Sequence, residues 1–209
     1  SGFTTNPSLM RKAGVEDYEQ FSKNVLSKIG DKSLSLEVFA DDFSEMKNQA
    51  RTIASWGKNV AVKIPAMTTK GEFTGPVIEA LSKEGITLNV TAIMTVEQVE
   101  RIVSVADDNS HLICSVFAGR IADTGRDPVL HMQKCLRITR SRVNSELLWA
   151  SPREVYNIFQ ANEIGCEIIT VGHDILKKIS LFGKNLDEYS QETVQTFFTD
   201  AKNSRYQIK

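Results

Sequence analysis

Short runs rich in Val, Ile, Leu and Thr alternate along the chain with longer stretches in which apolar residues recur at helical spacing. The short runs are typical of buried strands and the longer ones of amphipathic helices, so their regular alternation predicts a parallel βα repeat. The strands are predicted at 34–40, 60–66, 86–94, 112–119, 146–151 and 168–172. The helices are predicted at 17–28, 43–55, 73–83, 96–105, 128–142, 153–163, 174–179 and 186–201.

This order of elements indicates the fold class. Residues 1–4 have the character of the end of a further strand, so six strands and a stump are visible among 209 residues. A closed (β/α)8 barrel usually needs ~250 residues, and ~200 suffice for a compact one. We expect a single-domain α/β protein over residues 1–209, a (β/α)8 TIM barrel whose first βα unit is missing from the sequence, plus a C-terminal helix. An open doubly wound sheet is the alternative, although no G-x-G-x-x-G follows any predicted strand.

Composition narrows the classes of function. The formal net charge is -1, the charged residues are scattered, and no apolar run approaches the roughly 20 residues that cross a bilayer. We therefore expect neither nucleic acid nor membrane as a partner. The three cysteines and three histidines are dispersed and form no metal-ligand spacing, and no signal peptide is visible. These features predict a cytoplasmic protein without a metal or a cofactor.

One predicted strand, NVAVKIP at 59–65, carries a lysine among apolar residues. Burying the ammonium of Lys63 is costly unless a partner or the loss of its charge relieves it. Because side chains alternate along a strand, Val62 and Ile64 should face the helices and Lys63 the barrel interior. The same alternation places Trp149 in the interior, together with a polar set from neighbouring strands: Glu37, Lys63, Asn89, Thr91 and Ser115.

A buried ion pair between Lys63 and Glu37 with a purely structural role is one interpretation of this polar set. The other is catalytic, because a lysine in a partly desolvated pocket loses its charge more easily and the neutral amine attacks ketones to form a Schiff base. A carbon–carbon bond next to the imine can then break, provided that a carboxylate or its bound water moves protons. Glu37 could position that water, and Asn89 could bind a substrate hydroxyl together with Thr91 and Ser115.

Two segments that follow late strands contain arginines: VFAGRIAD with Arg120, and LLWASPRE with Ser151 and Arg153. Barrels bind phosphate at this end of late strands, and arginines and helix N-termini both suit it. For the first segment an ion pair between Arg120 and Asp123 is an alternative. For the second, a capping box with Ser151 as the N-cap and Glu154 at the third helical position is a compatible alternative.

Three motifs resemble those of the transaldolase family, in particular its small-subunit branch related to fructose-6-phosphate aldolase. FTTNPSLM at 3–10 is similar to the family's T-T-N-P-S motif, and SVFAGRIAD at 115–123 is similar to its S-P-F-V-G-R-I segment. VAVKIPAMT at 60–68 is similar to the strand that bears the Schiff-base lysine. The resemblance runs nearly from end to end.

The resemblance implies a role for each candidate residue. Lys63 would form the imine, and Glu37 and Thr91 would hold the catalytic water. Contacts to the sugar chain are implied for Thr4, Asn6, Asn89, Ser115 and Phe117. Contacts to the phosphate are implied for Arg120, Ser151 and Arg153, the last two matching the family's S-F-R as S-P-R.

Glu37 and Phe117 favour one branch of the family, because the aldolase branch carries Gln and Tyr at these positions, and that Tyr helps a free ketone product leave. The expected activity is therefore transfer of a dihydroxyacetone unit from fructose 6-phosphate or sedoheptulose 7-phosphate to an aldose phosphate, in the pentose phosphate pathway. Reversible aldol cleavage of fructose 6-phosphate is the alternative. A barrel that only binds sugar phosphates is the third interpretation.

The sequence also departs from the family pattern. The family's proton-transferring Asp on the first strand has no counterpart, Trp149 stands where a small residue is usual, and the stretch after Lys63 is longer.

The predicted terminal helix carries an apolar pair, Phe197 and Phe198. In small members of the family such a helix reaches a neighbouring subunit, which implies a homo-oligomer; folding back over the chain's own barrel is the alternative.

Overall fold

The computed structural model describes residues 2–204, which divide into two compact units, the first ending at Val171 and the second beginning at Gly172. The strands all lie in the first unit: β1 (Phe3–Thr4), β2 (Leu34–Glu37), β3 (Val60–Pro65), β4 (Leu88–Ile93), β5 (Leu112–Val116), β6 (Ser145–Trp149) and β7 (Ile168–Ile169). Its helices are α1 (Pro7–Lys12), α2 (Tyr18–Ile29), α3 (Phe43–Ala54), α4 (Gly75–Lys83), α5 (Val96–Val105), α6 (Ala118–Asp123), α7 (Pro128–Thr139) and α8 (Tyr156–Glu163).

The strands form one sheet in which every neighbouring pair is parallel and the spatial order is the chain order, from β1 to β7. A doubly wound sheet reverses its strand order at a switch point, so this order excludes that alternative. The described residues 2–204 thus form seven parallel strands in the α/β architecture of a partial TIM barrel. The predicted fold class is confirmed.

The strands bury two different faces. The face toward the helices forms the main core, in which strand residues such as Leu36, Val62 and Val90 pack against Met46 and Ile78 of the helices. A smaller apolar cluster on the inner face consists of Ala61, Ile113, Leu148 and Ala150, with Phe117 and Ile168 packed against it.

Trp149 corrects one prediction. It is fully buried in the helix-facing core beside Val116, its register partner on β5, and does not face the interior. Leu148 and Ala150 face the interior instead. Strand β6 contains Leu147, Leu148 and Trp149 in succession, so its sequence shows no alternation from which the inner face could be identified. Trp149 therefore adds no bulk to the inner face.

The helices at 17–28, 43–55 and 96–105 were predicted to within one residue at each end. Two short helices, α1 and α6, were not predicted. Helix α1 starts at Pro7 and is capped by Asn6, whose Oδ1 accepts the N–H of Leu9 at 2.8 Å. Helix α6 follows β5 directly and takes up the last residues of the strand predicted at 112–119.

The second unit contains helix α9 (His173–Leu176), a 3-10 helix (Lys177–Leu181) and helix α10 (Leu186–Ser204). The helix predicted at 186–201 is confirmed. None of the described residues of α10 is buried, and Phe197 and Phe198 are exposed. That the two units make one domain, and that α10 reaches a second subunit, stay predictions. No helix within residues 2–204 is both long enough and apolar enough to span a membrane.

Candidate active site

Lys63 and Glu37 lie side by side on the inner face near the C-terminal ends of β3 and β2, where they are register partners. The Nζ atom of Lys63 is 3.0 Å from Oε2 of Glu37 and donates to the backbone oxygen of Thr5 at 3.1 Å. Lys63 is only 8% exposed. The carboxylate and the carbonyl offset the cost of taking the ammonium out of water. The pairing considered from the sequence is therefore present in the structure.

Three buried polar side chains form a connected hydrogen-bond network beside this pair. Asn89, the register partner of Lys63 on β4, donates from Nδ2 to Oγ of Ser35 at 3.1 Å. Ser115 on β5 donates from Oγ to Oδ1 of Asn89 at 2.6 Å. Asn89 reaches from β4 to β2 because β3 contributes only the methyl group of Ala61 opposite Ser35. The network fixes the amide orientation of Asn89.

Ser35 was not predicted as a site residue, although alternation along its strand places it on the same face as Glu37. Thr91 is buried within β4, two residues before its end, and is the register partner of Pro65. Directly after Thr91 the ladder between β4 and β5 shifts register, and Ala92 takes a left-handed φ of 59°. This bulge ends the regular alternation, so that Thr91 is the last inward side chain of the regular part of β4.

Tyr18 on α2 holds the end of β2 in place and was not predicted. Its hydroxyl donates to the backbone oxygen of Glu37 at 3.1 Å and accepts the N–H of Glu37 at 2.8 Å. Burial raises the pKa of Tyr18 to about 12, so the hydroxyl stays protonated and remains able to donate. The ring packs against Phe39 and Trp56, with centroids 4.7 and 5.6 Å away.

The remaining candidates from the first strand lie next to Thr5. Thr4 is exposed on β1, and Asn6 uses its side-chain oxygen to cap α1. Both flank the carbonyl that accepts from Lys63. Phe117, which follows β5, packs against the inner apolar cluster. The structure thus places Glu37, Lys63, Asn89, Thr91 and Ser115 on neighbouring parallel strands, while Thr4 ends β1, Asn6 follows it and Phe117 follows β5.

The second arginine segment does not form the predicted capping box. Helix α8 begins at Tyr156 rather than at residue 153, and Ser151 takes a left-handed φ of 60°. The backbone N–H groups of Arg153 and Glu154 donate instead to Oδ1 of Asn157, at 2.7 and 3.1 Å. The local sequence suited a cap, but a residue at Ser151's φ cannot be an ordinary extended N-cap.

Gly119 allows the backbone of residue 151 to approach α6 closely. A Cβ atom at Gly119 would lie 1.5 Å from the backbone oxygen of Ser151 and 3.3 Å from Cγ of Arg153. Only glycine allows the chain after β6 to pass so close to α6. The first arginine segment therefore packs at Gly119 against Ser151 and Arg153 of the second. Strained backbone of this kind is often retained where a site requires it.

The guanidinium of Arg153 forms a side-on pair with Asp123, in which Nε lies 3.0 and 3.1 Å from the two carboxylate oxygens and Nη2 bonds Oδ2. These hydrogen bonds hold the pKa of the Asp123 carboxyl below its usual value, and Arg120 contributes to the same direction. Arg120 itself lies over the ring of Phe117, at 5.3 Å from the centroid. The alternative of an Arg120–Asp123 ion pair is wrong, since Asp123 pairs with Arg153.

The fold resembles that of solved structures whose sequences are less than 20% identical. Inosine 5' monophosphate dehydrogenase from Legionella pneumophila superposes with a TM-score of 0.54 at 12% identity, covering 83% of this chain and 58% of that one. A mandelate oxidase variant with an FMN adduct gives a TM-score of 0.52 at 15% identity, covering 75% and 53%. The chain thus spans little more than half of each of these enzymes, and the likeness defines the class of fold.

The family follows from sequence. The family model described as Transaldolase/Fructose-6-phosphate aldolase matches residues 1–209, and the chain belongs to this family. A protein of Dehalococcoides mccartyi named probable transaldolase is 33% identical over 182 residues, which are 86% of this chain and 80% of that protein. A probable transaldolase of Methanococcus maripaludis is 33% identical over 192 residues, 91% of this chain and 84% of the relative. The resemblance noted from the motifs is confirmed.

Proposed function

We propose that the protein is a transaldolase that transfers a dihydroxyacetone unit from fructose 6-phosphate or sedoheptulose 7-phosphate to an aldose phosphate through a Schiff base on Lys63. The observation that carries this proposal is the buried Lys63 amine, 3.0 Å from the Glu37 carboxylate at the C-terminal end of a barrel strand. Barrel enzymes place their reacting groups at this end. Membership of the transaldolase/fructose-6-phosphate aldolase family supports the same chemistry.

The reaction begins when the neutral amine of Lys63 attacks the ketone carbon of the donor, and loss of water gives the imine. Glu37 and Thr91 hold the water that carries protons to and from the oxygen lost in this dehydration. The Glu37 carboxylate then takes the proton of the C4 hydroxyl through this water, the C3–C4 bond breaks, and its electron pair enters the protonated imine to give an enamine. The aldose phosphate departs, the enamine attacks the acceptor aldehyde, and hydrolysis of the new imine restores Lys63.

The other candidate residues bind the substrate. Asn89, oriented by Ser35 and Ser115, binds a hydroxyl of the donor, and a donor that lacks this hydroxyl would leave a buried amide group unpaired. Thr4, Asn6 and Phe117 contact the sugar chain. The phosphate is bound by Arg120, Ser151 and Arg153, where two arginines meet at the end of the late strands.

Phe117 favours transfer over aldol cleavage, because its side chain has no hydroxyl to protonate the enamine and release free dihydroxyacetone. We further propose that the protein is a cytoplasmic homo-oligomer and acts in the pentose phosphate pathway without a cofactor. The two compact units belong to one enzyme domain in this proposal.

Borohydride trapping tests the proposal directly. The protein is incubated with fructose 6-phosphate, reduced, and analysed by intact mass and peptide mapping, with Lys63→Met alongside. We expect an adduct of the dihydroxyacetone unit or of the donor on Lys63 and none in the variant. Adding erythrose 4-phosphate to the unreduced protein should then yield sedoheptulose 7-phosphate. An adduct with release of free dihydroxyacetone and no transfer would indicate the aldolase, and binding without any adduct would indicate a non-catalytic barrel.

A further inference from the structure

We propose that Asp123 is the positioning residue of the phosphate site, since it fixes the guanidinium of Arg153 so that one edge stays free for a single phosphate monoester. Asp123 has no assigned role in the function proposed above. The inference deepens that function and rests on its assignment of Arg153 to the phosphate. By this inference, Asp123 contributes to the preference of the site for phosphorylated over unphosphorylated sugars.

The first argument is the hydrogen-bond count of Arg153. A guanidinium has five N–H donors, and Asp123 takes the Nε–H and one N–H of Nη2. Within residues 2–204 no other side-chain hydrogen bond of Arg153 is formed. The edge formed by Nη1 and the second N–H of Nη2 is therefore available, and this edge matches the two oxygens of a phosphate.

The second argument is that Arg153 is held at both ends. Its backbone N–H donates to Asn157 Oδ1 at 2.7 Å, and its stem crosses Gly119, where a Cβ atom would lie 3.3 Å from Cγ. Asp123 fixes the far end of the side chain. Arginine loses considerable rotamer entropy when it is ordered, so an arginine that is already ordered in the free protein binds an anion at a smaller entropic cost.

The third argument concerns where Asp123 lies in the chain. It is the last residue of α6, and a carboxylate at a helix C-terminus is electrostatically unfavourable. The local helix therefore gains nothing from an aspartate here. Arg120, one turn earlier on α6, lies close enough to lower the pKa of the Asp123 carboxyl further. One carboxylate between two arginines leaves one net positive charge, which suits one phosphate group.

The kinetic test compares fructose 6-phosphate with fructose as donor, with glyceraldehyde as an unphosphorylated acceptor. We expect Asp123→Asn to raise KM for fructose 6-phosphate about fivefold, the upper end of what a partly exposed ion pair contributes, with kcat and the constants for fructose unchanged. Asp123→Glu keeps the carboxylate and should recover part of the affinity. A purely structural role would change both donors alike.

Asp31→Asn is the matched control. Asp31 also forms an ion pair, with Lys58 at 3.0 Å, but both side chains are highly exposed and lie before β2 and β3, at the opposite end of the strands. Its constants should equal those of the unmodified protein. An unchanged or lower KM for fructose 6-phosphate in Asp123→Asn would overturn the inference, because loss of a repelling charge alone predicts tighter phosphate binding.

Calorimetric titration with inorganic phosphate separates this inference from the proposed function. If the unmodified protein shows no turnover but binds phosphate, and Asp123→Asn weakens that binding about fivefold, the inference stands and the transaldolase proposal fails. If turnover and phosphate binding are both present and Asp123→Asn changes neither, the inference fails alone. Absence of phosphate binding in the unmodified protein would overturn the inference whatever the turnover.

Discussion

The Tyr18 hydroxyl takes the place that strand β1 leaves open beside Glu37. The ladder between β1 and β2 runs through the bond from Thr5 N–H to Ser35 O at 3.2 Å, and its next bond would join Glu37 N–H to Thr5 O. The oxygen of Thr5 accepts from Lys63 Nζ instead, and Tyr18 pairs with both backbone groups of Glu37. The carbonyl of Thr5 at the end of β1 thereby accepts a hydrogen bond from Lys63, and Tyr18 of α2 satisfies the backbone groups of Glu37 that β1 would otherwise pair.

Tyr18→Phe should therefore lower both stability and activity. The ring and its packing remain, but the N–H of Glu37 loses its acceptor, which costs about 1–3 kcal/mol of unfolding free energy. The end of β2 is then free to shift Glu37 away from Lys63, and misplacement of a catalytic group by about 1 Å can cost up to about 100-fold in rate. We expect a lower kcat with little change in KM, measured beside the unfolding free energy.

The matched control for this variant is Tyr156→Phe, because Tyr156 is more than half exposed on α8. It should change neither the unfolding free energy nor kcat. If Tyr18→Phe had the stability and kcat of the unmodified protein, the hydroxyl would have no part in placing Glu37.

Phe117→Tyr should shift the reaction from transfer toward release of free dihydroxyacetone. The added hydroxyl supplies a proton donor beside the enamine, and general acids contribute on the order of 100-fold to such steps. The ring that lies under Arg120 is retained, so KM for phosphorylated donors should stay the same. The ratio of released dihydroxyacetone to transferred product is the measurement. Phe159→Tyr on α8 is the control, and an unchanged ratio in Phe117→Tyr would rule out this role.

Gly119→Ala should disrupt the phosphate segment. The new methyl group would lie 1.5 Å from the backbone oxygen of Ser151, so the segment from 151 to 153 has to move. We expect destabilisation of about 1–3 kcal/mol or more and weaker binding of inorganic phosphate. Gly125→Ala is the comparison, because Gly125 has a positive φ of 78° and open space around it. Equal losses of phosphate affinity in the two variants would contradict the proposed role of Gly119.

The three cysteines should react slowly with thiol reagents in the folded protein. Burial raises the pKa of Cys114 and Cys135 to about 12 and that of Cys166 to about 11. At pH 8 the thiolate fraction of the first two is then on the order of one in ten thousand, and it rises tenfold for each pH unit. Labelling with iodoacetamide should therefore be slow, faster at higher pH, and complete only in denaturant. Rapid native labelling at pH 8 would contradict the burial of these thiols.

Sequence alone predicted the sheet from its apolar runs, and it predicted the inner polar set because polar and apolar residues alternate in β2 and β4. Lys63 interrupts an apolar run, so its orientation was readable from its neighbours. The same reasoning failed for Trp149, since three successive apolar residues carry no alternation. It also failed for Ser151, whose suitability as a cap is a local property, whereas its backbone packs closely on Gly119, which is distant in sequence.

The interactions of Tyr18 and Asp123 were not predictable from sequence either. Tyr18 lies 19 residues before Glu37, and Asp123 lies 30 residues before Arg153. Neither separation matches the short spacing at which residues of one helix or one strand contact each other. Such contacts arise from how separate elements pack, and a single sequence contains no direct signal of them.

The two edges of the sheet are as short as strands can be, since β1 and β7 contain two residues each. Unpaired backbone groups along an edge strand act as a template on which other chains can add strands and begin to aggregate. Pro7 follows β1 closely and has no N–H with which to extend such pairing. Within residues 2–204, the outermost strands of the sheet thus offer little of the unpaired edge on which such aggregation begins.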